Sequence, residues 1–204
     1  MENYLMVNGQ KIPLTEVQVA QITGGQEKKE EKVALEKLNP GDVFRIGSCE
    51  FLVLEQTGNA TAVIKKDFLV AKAEFGENNN YAESPIRAAC EEFAAGIAQE
   101  IGDENILEHT VDLTANDGLK DYGGIKARAS LLTAERYRKY VRILDAAKMG
   151  EWWWLATPWS TPSHGIEHAS LCVSPSGFID FNYCNVSRGV RPFCILKSTI
   201  LVSR

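Results

Sequence analysis

Apolar residues recur with two different periods along this chain, and the switch between them outlines its elements. From Asp42 to Leu69, DVFRIGSCEFLVLEQTGNATAVIKKDFL alternates apolar and polar residues, with breaks at Gly47-Ser48 and Gly58-Asn59. A period of two sends neighbouring side chains to opposite faces of an extended backbone, so the stretch predicts a three-stranded meander. The period lengthens after Ser84-Pro85. Ile86, Ala89, Cys90, Phe93, Ala94, Ile97 and Ile101 then fall at helical spacing up to Gly102. Ser84 supplies a capping hydroxyl, and Pro85 stands where a missing N–H costs nothing. A second helix is predicted from Thr133 to about Ala147, with Tyr137, Tyr140, Val141 and Leu144 turned inward. Between the helices, Thr114–Gly124 (TANDGLKDYGG) is rich in turn formers and predicts a loop.

After Gly150 the pattern is extended again. Trp152–Leu155 reads as a core strand, Leu171–Val173 and Phe178–Phe181 flank a turn at Ser174–Gly177, and Val190–Val202 supplies one or two strands. The N-terminal stretch is separate in texture. Two short extended pieces from Tyr4 to Ile12 meet at Asn8-Gly9, a dipeptide that accepts the positive φ angles of a tight hairpin. Thr15-Glu-Val-Gln18 is a capping box, opening a short helix to Gly24-Gly25, and Gln26–Lys32 (QEKKEEK) has no apolar face and reads as a linker. The pattern predicts an α+β chain. Residues 1–32 form a hairpin-helix with its charged linker, and residues 33–204 form a domain of two helices beside a twisted, mainly antiparallel sheet.

With 204 residues, 45% of them hydrophobic and 24% charged, the chain has enough apolar surface to fold without staples. Its net charge of −5 leaves no broad basic face, which argues against nucleic acid as a partner. The charge is uneven: Trp152–Arg204 holds Glu167 and Asp180 against Arg188, Arg191, Lys197 and Arg204, so about −7 falls on the rest. The five cysteines, Cys49, Cys90, Cys172, Cys184 and Cys194, form no CxxC pair and no zinc spacing, and read as small buried residues. The N-terminal stretch lacks the pattern of a signal peptide, and no run is long and apolar enough to span a membrane, so no membrane insertion is expected.

Trp152, Trp153 and Trp154 stand side by side. Alternation along a strand makes them core residues, two rings inward and one against a neighbouring loop; Arg191, a planar donor fork, reads as a buried anchor for the last strands. The segment that follows has a different chemistry. Ser163, His164, Ile166, His168, Ser170, Phe178, Asp180, Phe181, Tyr183, Cys184 and Ser187 mix aromatic with small hydrogen-bonding side chains, a composition shared by adaptable binding surfaces and by ordinary polar loops with an edge strand. His164 and His168 stand four apart, but Pro162 and Gly165 disfavour a helix and no third ligand is evident, so no metal site is expected. Glu167 and Asp180 are too few for calcium. No GxSxG, phosphate loop or triad occurs, and no cofactor or catalytic residue is assigned.

Certain elements resemble a family of domains common in gut bacteria and their phages, marked by Trp-Trp-Leu-x-x-Pro and a terminal Gly-Val-Arg-Pro. Here these are Trp153–Pro158 and Gly189–Pro192, with Gly41-Asp42, Asn79-Asn80-Tyr81, Glu83-Ser84 and Leu131-Leu132-Thr133 upstream. The resemblance runs from about Leu35 to Leu201; Ala156 stands where many relatives carry arginine, and no role is transferred to it. It implies a variant of the C-type lectin fold. Some such proteins are the variable proteins of diversity-generating retroelements, in which a reverse transcriptase rewrites adenine positions at the 3′ end of the gene. Rewriting the first two bases of an AAC codon never yields Trp, Lys, Glu, Gln or Met, and Glu167 alone among Ser163–Arg188 belongs to that set.

The expectation is a non-enzymatic ligand-binding protein, displayed on a phage tail or virion after synthesis in the bacterial cytoplasm, whose C-terminal face holds a cell-surface protein or glycan. Phage structural proteins and further copies of the chain are its expected partners. The alternatives are a structural phage component with an unremarkable surface and a cysteine-dependent oxidative enzyme on the same fold.

Overall fold

The computed structural model describes residues 4–7, 10–15, 18 and 32–204. The chain divides into two compact units, Met1–Glu31 and Lys32–Arg204. In the first, β1 (Tyr4–Val7) and β2 (Gln10–Pro13) pair antiparallel with Val7 opposite Gln10. The capping box is present: the Thr15 amide donates to Gln18 Oε1 at 3.0 Å and the Gln18 amide to Thr15 Oγ1 at 3.3 Å. The expected turn residues Asn8-Gly9, the helix to Gly25 and Gln26–Glu31 of the expected linker lie outside the described residues.

The second unit is an α+β domain. Strands β3 (Lys32–Ala34), β4 (Val43–Ile46), β5 (Cys49–Thr57), β6 (Ala60–Lys65) and β7 (Val70–Ala73) precede helix α1 (Pro85–Ile101). Then come β8 (Ile106–Leu107), β9 (His109–Asp112), β10 (Gly124–Ala127), β11 (Ala129–Ser130) and helix α2 (Ala134–Ala146). The chain closes with β12 (Trp153–Pro158), β13 (Ala169–Val173), β14 (Ile179–Tyr183), β15 (Arg188–Val190), β16 (Phe193–Lys197) and β17 (Leu201–Ser203). The larger sheet runs β11-β16-β6-β5-β4-β17-β3, with β8 continuing beside β16; the smaller runs β14-β13-β12-β15-β7. Strands β9 and β10 form a separate ribbon. All pairings are antiparallel except β12 with β15.

Both helices begin as their sequences dictate. Ser84 Oγ accepts from the Ile86 amide at 3.1 Å and Thr133 Oγ1 from the Arg136 amide at 3.3 Å. Ile86, Cys90, Phe93, Ala94 and Ile97 of α1 are buried in one core with Phe44, Phe51, Val53 and Trp154; Tyr137, Tyr140 and Leu144 of α2 are buried in the other with Leu52, Ile64, Trp153 and Phe193. Ala89, Ile101 and Val141, also expected inward, are half-buried. Successive residues such as Phe51 and Leu52, or Trp153 and Trp154, enter different cores, so the sheets lie between the two helices with apolar side chains on both faces. Among the described residues, no helix is long and apolar enough to cross a membrane.

Several boundaries differ from expectation. The tryptophan strand starts at Trp153 and continues to Pro158, the strand expected at Phe178–Phe181 is shifted to Ile179–Tyr183, and Val190–Val202 belongs to three strands. Strands β3, β7, β8, β9, β10 and β11 were not anticipated; each spans only two to four residues, too few to show a period.

Candidate functional site

The two sequence elements that bracket the C-terminal segment meet in the smaller sheet. Trp153 pairs with Gly189 in parallel, and the Gly189 amide donates to the Trp152 carbonyl at 2.8 Å. A Cβ on Gly189 would lie 2.5 Å from the Phe68 ring, so glycine is required there by close approach. Trp154 is fully buried, donates from Nε1 to the Ala73 carbonyl at 2.9 Å and meets Phe75 edge-on. Trp153 meets Tyr137 edge-on from the opposite face. Trp152, expected in the core, lies before the strand and is half-buried, with the Arg188 guanidinium 5.4 Å above its ring. Arg191 is buried: Nε donates to the Lys65 carbonyl at 2.8 Å, the guanidinium lies 5.6 Å from the Trp153 ring, and desolvation draws its pKa down to about 10. These residues form a fixed floor.

Above it, Asn79 joins the surrounding segments. Its fully buried side chain donates from Nδ2 to the carbonyls of Ser160 (2.9 Å) and Ala169 (2.7 Å), and accepts at Oδ1 from the Tyr122 hydroxyl (2.7 Å). The Asn79 amide also donates to the Glu167 carbonyl at 2.8 Å. One residue thus bonds four polar groups, and the Ala169 carbonyl also accepts from the Trp159 amide at 3.0 Å.

The segment after the tryptophans leaves the sheet at Pro158 and makes one 3₁₀ turn, Pro162–His164, which Gly165 ends in the left-handed region at φ 69°. Its tip rests on the turn-rich loop. His164 Nδ1 lies 3.0 Å from Asp117 Oδ2, Ser160 Oγ donates to the same oxygen at 2.5 Å, and the Ser163 amide donates to Asp121 Oδ2 at 3.0 Å. The Ser160 hydroxyl, then the Leu119 amide and His164, hold the Asp117 carboxyl below its usual range; bonds from Ser163 do the same for Asp121.

Strand β14 carries the exposed aromatics. Phe181 stacks on Trp159 with ring centroids 4.6 Å apart, and Tyr183 stacks on His168 at 5.5 Å. Phe181 and Tyr183 remain 42% and 55% exposed, and Phe178, in the turn before the strand, is 73% exposed. Ser163, His164, His168, Asp180 and Ser187 are exposed and Ile166 is half-buried. The Phe181 amide donates to Asp180 Oδ1 at 2.8 Å and the Tyr183 amide to Asn182 Oδ1 at 3.0 Å. Beside Tyr183 an open groove of about 870 Å³ is lined by Glu74, Glu77, Glu83, His168, Tyr183 and Cys184.

Two residues expected on this face are not available to it. Ser170 points into the sheet, fully buried, and donates to the Thr157 carbonyl at 3.0 Å, because its place on β13 alternates with residues of the opposite face. Cys184 is 3% exposed and belongs to the α1 core, contributing only to the groove floor. Burial pushes the Cys172 and Cys184 thiols up to about 12, away from the thiolate that thiol chemistry requires, and all five cysteines are free. Among the described residues, no group of three His, Cys, Asp or Glu side chains is arranged to hold a metal; His164 faces Asp117 while His168 stacks on Tyr183.

Asp117, Asp121 and Trp159 were missed from the sequence. Asp117 and Asp121 carried only a turn signal, and their contacts with Ser160 and Ser163 span 43 and 42 residues, a separation no local pattern reports. Comparison of the chain with protein-family models, with curated proteins and with solved structures finds no match.

Proposed function

We propose that this is a non-enzymatic ligand-binding protein whose C-terminal segment displays a variable face on a domain related to the C-type lectin fold. One observation carries the reading: aromatic and small polar side chains at Ser163–His168 and Phe178–Tyr183 stand out in water, while β12, one strand away from β14 in the same sheet, holds buried tryptophans. Exposed aromatic rings with few rotatable bonds supply contact area at low entropic cost, and hydroxyl, imidazole and carboxylate groups around them adjust to polar partners. A floor packed by Trp153, Trp154 and Arg191 keeps that display rigid while the tips change.

The arrangement of diversified tips on a fixed scaffold fits the variable protein of a diversity-generating retroelement, carried on a phage tail and directed at a cell-surface protein or glycan. The carboxylates of Glu74, Glu77 and Glu83 around the groove favour a partner that brings positive charge to that side. Weak individual contacts would be offset by multivalent display.

Two measurements test this. The DNA beside the gene is expected to hold a near-copy of the segment encoding Ser163–Arg188 that differs only at adenines, next to a reverse-transcriptase gene; a flanking region with neither refutes diversification. Fluorescently labelled protein is expected to bind the surface of gut-bacterial cells, and F181A/Y183A to lose that binding while still unfolding cooperatively within a few degrees of wild type. Equal binding by the double variant refutes the assignment of the face.

A further inference from the structure

The smaller sheet ends on β14, and this edge differs from the others. At the margins of the larger sheet, β8 and β11 have two residues each and β3 has three; at the far margin of the smaller sheet, β7 has four and pairs with a register shift. Short or irregular edges offer little template to a passing strand. Strand β14 has five residues in unbroken register with β13, it carries two exposed aromatics, and Asp180 is its one formal charge. Length, regularity and aromatic content make it the edge most prone to pair with another chain.

Antiparallel geometry decides which of its amides face outward. The Cys184 amide donates inward, to the His168 carbonyl at 2.9 Å. Alternation then points the Asn182 and Asp180 amides toward β13 as well, and the amides of Ile179, Phe181 and Tyr183 away from the sheet. Two of these three outward donors bond to the side chain of the preceding residue, Phe181 to Asp180 and Tyr183 to Asn182. A short Asx side chain that takes up a neighbouring amide competes directly with a sheet ladder for that donor.

We propose that Asp180 and Asn182 guard the β14 edge, occupying two of its three outward amides so that a second copy of this chain cannot add its own β14 to the sheet. The occupant excluded is another β14 because two such edges meet antiparallel by a twofold axis, and self-complementary pairing is the association any exposed regular strand invites first. Asp180 is thereby assigned a role in keeping the edge unpaired. The inference does not depend on what the face binds.

Sedimentation velocity and amide hydrogen exchange test it. D180A/N182A is expected to shift with rising concentration from the wild-type sedimentation coefficient toward that of a dimer. Its Phe181 and Tyr183 amides should exchange fast when dilute and become protected when concentrated. D180N/N182D keeps both acceptors and should sediment as wild type does. Overlapping sedimentation profiles for D180A/N182A and wild type overturn the proposal, as does association that leaves those two amides unprotected or occurs equally in D180N/N182D. If the alanine variant fails to fold, the wild type still decides: Phe181 and Tyr183 amides exchanging as fast as an unstructured chain rule the guarding bonds out, and measurable protection of both supports them.

Discussion

Strands β12 and β14 belong to the same sheet, separated only by β13, and they treat their aromatic residues in opposite ways. On β12, Trp153 and Trp154 are enclosed by two different cores, and every residue from Trp153 to Pro158 is buried. On β14, Phe181 and Tyr183 lean on one ring each and leave the rest in water. Position explains the contrast: β12 is central and has a neighbour on each side, whereas β14 has one neighbour. The same side-chain type is structural where the sheet is covered and available for contact where it is not.

The largest blow to this contrast would come from the covered strand. Trp154→Ala removes a fully buried ring and leaves a cavity, with an expected loss of about 3–5 kcal/mol; Trp153→Ala should cost a similar amount. Urea denaturation measures both, and a midpoint close to wild type would mean that β12 is not the floor. Next is Asn79→Ala, which strands the Ser160 carbonyl and takes one of two donors from the Ala169 carbonyl for about 1–3 kcal/mol, and should loosen the 160–169 segment before the rest of the domain. Exchange of segment amides at the same rate as in wild type would remove the residue from that role. On the exposed strand, Phe181→Ala and Tyr183→Ala should each change stability by about 1 kcal/mol or less, the worth of one ring contact. Unfolding of either variant would place those rings in the core.

The smallest effect concerns pH. Asp117 and Asp121 have carboxyls held below the ordinary value of 3.8 by bonds to the 160–163 segment. A lowered folded-state pKa means that their contribution is complete above 3.8 and is lost only as pH falls through the lower folded-state values. The Ser163 amide resonance should therefore stay constant from neutral pH down to about that value and move below it. Movement already complete well above that value would remove the Asp121 carboxylate from this contact.

The sequence was most legible where one local period or one capping residue sufficed. The α1 stripe, the Ser84 and Thr133 caps and the β4–β6 meander all rest on neighbours within a few residues, and they occur where expected. The face was legible by composition but not by direction. Ser170 and Tyr183 both looked like small-polar or aromatic contact residues, yet the side to which each points depends on β13 lying between two other strands. Long-range partners were not legible at all: nothing near Asp117 announces Ser160, and nothing near Asn79 announces two carbonyls 81 and 90 residues away.

That last arrangement has a practical corollary. Because a single carboxamide nitrogen fastens both Ser160 and Ala169, the chain between them is a handle whose two roots are pinned together. Lengthening such a handle adds little closure entropy, growing only with the logarithm of its span. Foreign peptides spliced in at Gly165 should accordingly be carried without disturbing the sheet below, which would make this domain a carrier for grafted recognition loops.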